Sequence, residues 1–216
     1  MPRPIVVLRP EPGNAATATR VEQAGLVALR LPLFCVAAVA WTVPDPAQFD
    51  ALLLTSANAV RHGGEGLARL RELPVVAVGE ATARAARAAG FTVLLTGSGD
   101  AASVTAATTG RLLHLAGREH HAVAGATTIV VYATEPLPVD GSLFEGSVAL
   151  VHSARAAARL AAIVEGEARE SIVIAALSPT VAAAAGDGWR AVEASDMPRD
   201  EALVALAVRL AGRDGD

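Results

Sequence analysis

One stretch of this chain occurs twice. Asp50 to Val60, reading Asp-Ala-Leu-Leu-Leu-Thr-Ser-Ala-Asn-Ala-Val, lines up with Ser147 to Ala157, reading Ser-Val-Ala-Leu-Val-His-Ser-Ala-Arg-Ala-Ala, at an offset of about 97 residues. The register continues with one insertion. Val76-Ala77-Val78-Gly79-Glu80-Ala81-Thr82 meets Ile174-Ala175-Ala176-Leu177-Ser178-Pro179-Thr180, Gly90-Phe91 meets Gly188-Trp189, and a helix from Ala101 meets one from Arg199. Each repeated piece is a short apolar run, a small polar turn and an Ala-rich segment, the pattern of strands feeding helices in a parallel sheet. A period of this length admits only folds made of two similar halves, so the expected class is α/β with two small doubly wound parallel-sheet lobes, pseudo-duplicated.

The remaining elements follow from apolar runs and their punctuation. Strands are expected at Ile5–Arg9, Leu26–Leu33, Ala51–Thr55, Val75–Val78, Val93–Thr96, Leu112–Ala116, Thr128–Ala133, Val148–His152, Ile172–Leu177 and Ala191–Ala194. Helices are expected at Ala15–Ala24, Ala57–Arg71, Ala81–Ala89, Ala101–Thr109, Arg155–Glu165, Pro179–Ala185 and Arg199–Ala211, with Asn14 as an N-cap and Gly25 as a stop. Residues 118–126, rich in Ala, Gly and His, read as a stub or loop. The opening unit, Met1 to Pro32, has a degraded counterpart near Arg111 to Tyr132. Periodicity therefore leaves two arrangements open, a simple tandem and a swap in which the N-terminal unit joins the C-terminal third.

Composition narrows the chemistry. With 52% hydrophobic and 19% charged residues the chain is built to fold, and with 3% aromatic its core must be made of Ala, Val and Leu. A net charge of -4 lacks the clustered cationic excess that a phosphate backbone demands, so nucleic acid is not an expected partner. All 18 basic residues are Arg, which excludes a Schiff-base lysine, pyridoxal phosphate attachment and a P-loop lysine. A lone cysteine, Cys35, forms neither an internal disulfide nor a metal cluster and suits a cytoplasmic protein. The apolar stretch Leu31–Val43 is broken by Pro32 and falls short of the roughly 20 residues a membrane span needs.

Ligands of open parallel sheets gather beyond the carboxyl ends of the strands, where helix N-termini point free N–H groups outward. That rule selects Thr55-Ser56-Ala57-Asn58, Gly79-Glu80-Ala81-Thr82, His152-Ser153-Ala154-Arg155 and Leu177-Ser178-Pro179-Thr180. Any one such hydroxyl is an ordinary N-cap, but their recurrence at repeat-related positions makes a surface suited to carboxylates. Arg9, Arg61, Arg84, Arg118 and Arg155 fall in or near these turns and supply bidentate donors. Other patterns are weaker. His120-His121 lacks a third ligand at metal spacing, Gly97-Ser98-Gly99 lacks the rest of a dinucleotide fingerprint, and Ser56 and Ser153 lack a nucleophile elbow. Neither metal nor cofactor is expected. Tyr132, the single tyrosine, ends a Val-rich strand and is a candidate proton donor.

Taken in order, Leu54-Thr55-Ser56-Ala57-Asn58-Ala59-Val60, Val78-Gly79-Glu80-Ala81-Thr82-Ala83, Leu115-Ala116-Gly117-Arg118, Val131-Tyr132, Val151-His152-Ser153-Ala154 and Ser178-Pro179-Thr180 resemble the uroporphyrinogen-III synthase family. The resemblance spans nearly the whole chain and implies two α/β lobes joined by a two-stranded linker, in the swapped arrangement: 1–33 plus 137–216 as one discontinuous lobe, 38–131 as the other, and 34–37 and 132–136 as linker strands. It implies a cofactor-free lyase of tetrapyrrole biosynthesis that closes the linear, eight-carboxylate hydroxymethylbilane to uroporphyrinogen III, with loss of water and inversion of the last pyrrole ring through a spiro intermediate. By matched position it assigns Tyr132 as the general acid. Arg9, Thr55, Ser56, Ala57, Asn58, Gly79, Thr82, Gly117, Arg118, Ser153, Ala154, Ser178 and Thr180 become substrate-binding residues. A cytoplasmic monomer in transient contact with the upstream deaminase completes that picture. Pro179 departs from the pattern by removing a backbone donor from its turn. Two rival readings are a bilobed binding protein for an anionic metabolite and a noncatalytic relative kept for partner binding.

Overall fold

The computed structural model describes residues 2–99, 104 and 110–212. The chain divides into two compact units, Met1–Cys35 with Pro136–Asp216, and Val36–Glu135.

The first unit carries a five-stranded parallel sheet in the order β11-β10-β9-β1-β2, formed by β1 (Ile5–Val7), β2 (Ala28–Arg30), β9 (Val148–Val151), β10 (Val173–Ala176) and β11 (Ala191–Ala194). β1 lies between β9 and β2, with Ile5 opposite Val148 and Val7 opposite Leu150, so the N-terminal unit shares a sheet with the C-terminal third. Among the described residues the α-helices of this unit are α1 (Gly13–Gln23), α4 (Ala154–Ile163), α5 (Pro179–Ala184) and α6 (Asp200–Ala211). Parallel strands sandwiched by helices must be apolar on both faces, and the alternation of β9 and β10 does this. Ala149, Val151, Ile174 and Ala176 join one core with Phe144, Leu160 and Trp189. Val148, Leu150, Val173 and Ala175 join the other with Val21, Leu203 and Leu210.

The second unit carries a six-stranded sheet in the order β3-β8-β7-β4-β5-β6, formed by β3 (Phe34–Ala38), β4 (Ala51–Leu54), β5 (Val75–Ala77), β6 (Val93–Thr96), β7 (Leu112–Gly117) and β8 (Ala126–Pro136). The helices α2 (Ala57–His62) and α3 (Glu80–Ala88) are described with it. Leu52 and Leu54 face one core and Ala51 and Leu53 the opposite one. The helix expected at 101–109 lies outside the described residues apart from Val104, which is buried.

Local departures from the expected elements have local causes. The segment expected as one helix from Ala57 to Arg71 breaks after His62, because Gly64 adopts a φ of 66° and the chain resumes as a 3-10 turn, Glu65–Leu70. Asn14 is not an N-cap, since α1 begins a residue earlier. Its buried side chain instead donates to the Val7 and Arg9 carbonyls at 2.8 and 2.9 Å, sealing the end of β1. β8 runs longer than expected at both ends, from Ala126 to Pro136. Residues 118–125 form neither helix nor strand, so β7 and β8 pair in parallel through an unusually short connection.

In each sheet the strand order reverses at one place, between β1 and β9 and between β4 and β7. In the first unit that place holds a charge cluster. The Asp200 carboxylate, on the first turn of α6, accepts from His152 Nε2 at 2.7 Å, Thr17 Oγ1 at 2.7 Å, Arg9 Nη1 at 3.3 Å and Arg20 Nη1 at 2.7 Å. One carboxylate thus ties α6 to α1, β1 and β9. Burial raises its pKa, but hydrogen bonds from His152 and Thr17 and the charge of Arg9 outweigh that and hold it below the ordinary value. Burial pushes His152 below its ordinary value in spite of the same hydrogen bond, so at neutral pH the contact is a neutral Nε2–H donating to a carboxylate.

Both groups destabilise the folded chain in acid. The unfolded chain binds the His152 proton more tightly, so that contribution is complete above the ordinary imidazole value of 6.5 and declines as pH falls through it toward the folded value. The Asp200 contribution is complete above 3.8 and declines below it toward the depressed folded value. Denaturant midpoints are expected to fall between about pH 7.5 and about pH 5.5 in the wild type, and to fall less in His152→Gln. At neutral pH, Asp200→Ala is expected to cost about 2–4 kcal/mol, because it strands several donors at once. Arg209→Ala, which breaks the exposed pair with Glu193, is expected to change stability by less than about 0.5 kcal/mol in the same denaturation experiment.

Candidate functional site

The reversal in the second sheet opens a cavity of about 530 Å³, lined by Thr55, Val78, Gly99, Gly117, Glu119, His120, His121, Ala122, Val123 and Tyr132. Its floor is built by strand ends. Thr55 follows β4, Gly117 closes β7, and Tyr132 lies on β8 opposite Gly117. One wall is the short β7–β8 connection, which carries Glu119, His120 and His121. This is the crevice position expected for a ligand of an open α/β sheet.

Tyr132 owes its placement to the absence of a side chain next to it. A Cβ on Gly117 would lie 2.6 Å from Tyr132 Cε2 and 3.0 Å from its hydroxyl, so only glycine lets the ring lie across this strand. The pairing register also shifts between Ala116 and Gly117, which carries Gly117 opposite Tyr132. The ring faces His62 at 6.4 Å between centroids.

Beneath the cavity lies His114, a residue that sequence reasoning passed over. It is buried within β7 among leucines, with Nε2 3.1 Å from Thr55 Oγ1 and Nδ1 3.3 Å from Thr128 Oγ1. Burial, helped by the charge of nearby His120, pushes its pKa down to about 4, so it is neutral at physiological pH. His120 stands edge-on to it at 5.9 Å, and its Nδ1 is 2.8 Å from the Gly117 carbonyl. A carbonyl only accepts, so His120 carries its proton on Nδ1. The signal that would have found His114 is a single titratable residue inside an otherwise apolar strand.

The other expected site residues fall into three groups. Thr55, Gly117 and Tyr132 line one cavity, with Ser56, Ala57 and Asn58 in the turn beside Thr55. Ser56 caps α2 through Asn58 N–H at 3.2 Å, and the Asn58 side chain accepts from Arg61 at 3.1 Å. Gly79 caps α3 at the neighbouring strand end and Thr82 is buried in its first turn, while Arg118, which does not line the cavity, pairs with Glu135 at 2.7 Å.

In the first unit, Arg9 sits at the β1 end of the Asp200 cluster. Ser153 caps α4 through Ala156 N–H at 3.2 Å, with Ala154 opening that helix. Ser178 caps α5 through Val181 N–H at 3.4 Å, and Thr180 is exposed on its first turn. Arg155 lies 4.6 Å over the Phe34 ring, and Arg84 is exposed on α3. Among the described residues no group of three or more His, Cys, Asp or Glu side chains has the arrangement of a metal site, and no helix is long and apolar enough to cross a membrane.

Two doubly wound α/β sheets with polar clusters at their reversal points, and a tyrosine-lined cavity at one of them, define the class as a two-unit α/β protein with a candidate ligand site at a sheet reversal. The chain matches the family model described as Uroporphyrinogen-III synthase HemD over residues 15–205, and it belongs to the uroporphyrinogen-III synthase family, lyases of heme biosynthesis. No curated protein matches it. Among solved structures it is similar in fold to the uroporphyrinogen-III synthetase of Helicobacter pylori 26695, at 19% identity and a TM-score of 0.68, covering 96% of this chain and 99% of that one. A mutant uroporphyrinogen III synthase from the extremely thermophilic bacterium Thermus thermophilus is 16% identical with a TM-score of 0.49, covering 98% of this chain and 99% of that one.

The Gly117–Tyr132 contact has a direct test, because the chain contains a single tyrosine. Gly117→Ala is expected to displace the Tyr132 ring and shift its resonances in protein labelled with carbon-13 tyrosine. Gly79→Ala, whose added Cβ meets nothing within 4 Å, is expected to leave them in place.

Proposed function

We propose that this chain converts hydroxymethylbilane to uroporphyrinogen III, with Tyr132 as the general acid. The observation that carries the reading is the family match across residues 15–205. In support, the single tyrosine lies at a sheet reversal, against a glycine that gives its ring room.

The substrate is primed to react, since loss of its terminal hydroxyl gives an electrophilic azafulvene that closes even without a catalyst. The protein's task is therefore to release the hydroxyl and hold the chain in the inverting geometry. Tyr132 donates its phenolic proton to the departing hydroxyl, which leaves as water. The pyrrole N–H proton given up as the azafulvene forms balances the transfer. The last pyrrole ring then bonds through its substituted carbon to give the spiro intermediate. One bond to that ring breaks and another forms at its free carbon, leaving the ring inverted in the closed product.

Thr55, Ser56, Ala57, Asn58, Gly79, Thr82, Gly117, Arg118, Ser153, Ala154, Ser178, Thr180 and Arg9 are proposed to hold the substrate's carboxylates, through hydroxyls, guanidinium groups and N–H groups at helix starts. The turn at Pro179 contributes one donor fewer. The enzyme is proposed to act in the cytoplasm as a monomer that meets the upstream deaminase only transiently, with 1–33 plus 137–216 and 38–131 as its lobes and 34–37 and 132–136 as the strands between them.

The test is product analysis on freshly generated hydroxymethylbilane, with the porphyrinogens oxidised and the isomers separated. The wild type is expected to give mainly the type III isomer, whereas type I at the uncatalysed rate would refute the activity. Tyr132→Phe is expected to lower kcat about 10²- to 10³-fold, the usual worth of a general acid, with a change in Tm of only a few degrees. Unchanged kcat in that variant would remove Tyr132 from the mechanism.

A further inference from the structure

His114, bonded to Thr55, has no role in the reaction outlined above. The imidazole lies in the middle of a strand whose other residues are apolar and buried, and it is itself 1% exposed. A polar group there carries a desolvation penalty unless both nitrogens are bonded, and both are, to Thr55 Oγ1 and Thr128 Oγ1. A leucine would fill the same place at less cost. What histidine adds is control over the direction of a hydroxyl proton.

A neutral imidazole bridging two hydroxyls has two arrangements. With the proton on Nδ1, the ring donates to Thr128 and accepts the Thr55 hydroxyl proton, so Thr55 can only accept from a ligand. With the proton on Nε2, the ring donates to Thr55 and accepts from Thr128, and the Thr55 proton is released toward the cavity. Unconstrained histidine favours the Nε2–H form. The neighbouring His120 donates from Nδ1 to the Gly117 carbonyl. In the Nε2–H arrangement the cavity has a donor at Thr55, which lines it together with Tyr132, and both suit an oxygen-rich anionic ligand.

We infer that His114 is a positioning residue which holds Thr55 as a hydrogen-bond donor aimed into the cavity, toward a carboxylate oxygen of the ligand. The inference rests on reading this cavity as part of the substrate site. His114 does not touch the substrate and acts only through Thr55.

Two experiments on the full chain test it, one of them independent of activity. Nitrogen-15 NMR of the imidazoles in wild-type protein without substrate is expected to show His114 protonated at Nε2 and bare at Nδ1. The reverse tautomer would overturn the inference whatever the enzyme does. In the kinetic arm, the side-chain amide of His114→Gln reaches the Nε2 position and restores a donor to Thr55, whereas that of His114→Asn reaches only the Nδ1 position. His114→Gln is expected to keep kcat/KM within about 5-fold of wild type, while His114→Asn and Thr55→Val each lose about 10- to 30-fold, the worth of one well-placed hydrogen bond. The double variant His114→Asn/Thr55→Val is expected to be no worse than Thr55→Val alone. Additive losses, or equal losses in the Gln and Asn variants, would mark His114 as a structural residue only. A wild type that forms no type III isomer would defeat the proposed activity and leave the tautomer result to decide the His114 assignment.

Discussion

Parallel strands covered on both faces leave little room for polar side chains, and the rest of this structure follows from that restriction. β4, β5, β9 and β10 are buried along their whole length, and their side chains divide between two apolar layers. Polar groups with work to do are pushed to the carboxyl ends of strands, and most strongly to the place where neighbouring helices wind away in opposite directions. Each sheet has one such place. In one unit it is filled by the Asp200 cluster, in the other it is the open cavity with Thr55, Gly117 and Tyr132.

The two reversal points spend similar chemistry differently. Around Asp200 an imidazole, a threonine hydroxyl and two guanidinium groups converge on one carboxylate and tie together the junction of four elements. Around Tyr132 the imidazole and threonine bond within the floor and leave hydroxyls facing space. Family membership supplies the reaction that geometry alone would leave unnamed.

Much of the fold was legible because it is written in strong periodic signals. The repeat relating Asp50–Val60 to Ser147–Ala157 marks two strand-turn-helix units, and both form, with Ser56 and Ser153 capping their helices. What periodicity left open was the partner of the opening strand. Ile5–Val7 is apolar enough for either sheet, and the choice of β9 depends on long-range packing that no local pattern carries. The break in α2 turns on the single positive φ of Gly64 inside a stretch whose composition otherwise favours helix. In the site, small hydroxyl residues at strand ends announce themselves by position. His114 did not, because one histidine in an apolar strand looks like an ordinary core position until its partners on two neighbouring strands are seen. Asp200 went unremarked in the sequence because its link to His152 spans 48 residues.

The short crossing from β7 to β8 has a bearing on how such a site can change over time. Most parallel neighbours are joined by a helix whose own packing fixes its sequence, so altering it disturbs the layer beneath. Here residues 118–125 do the joining, and those from Glu119 to Val123 form a wall of the cavity. Because most of these residues are exposed, substitutions among them are cheap in stability while they alter what the cavity presents to a ligand. The ends of this crossing are fixed by the registers of β7 and β8, so drift in its sequence is confined to the side that meets the ligand. A binding surface can thus be revised under selection without renegotiating the fold.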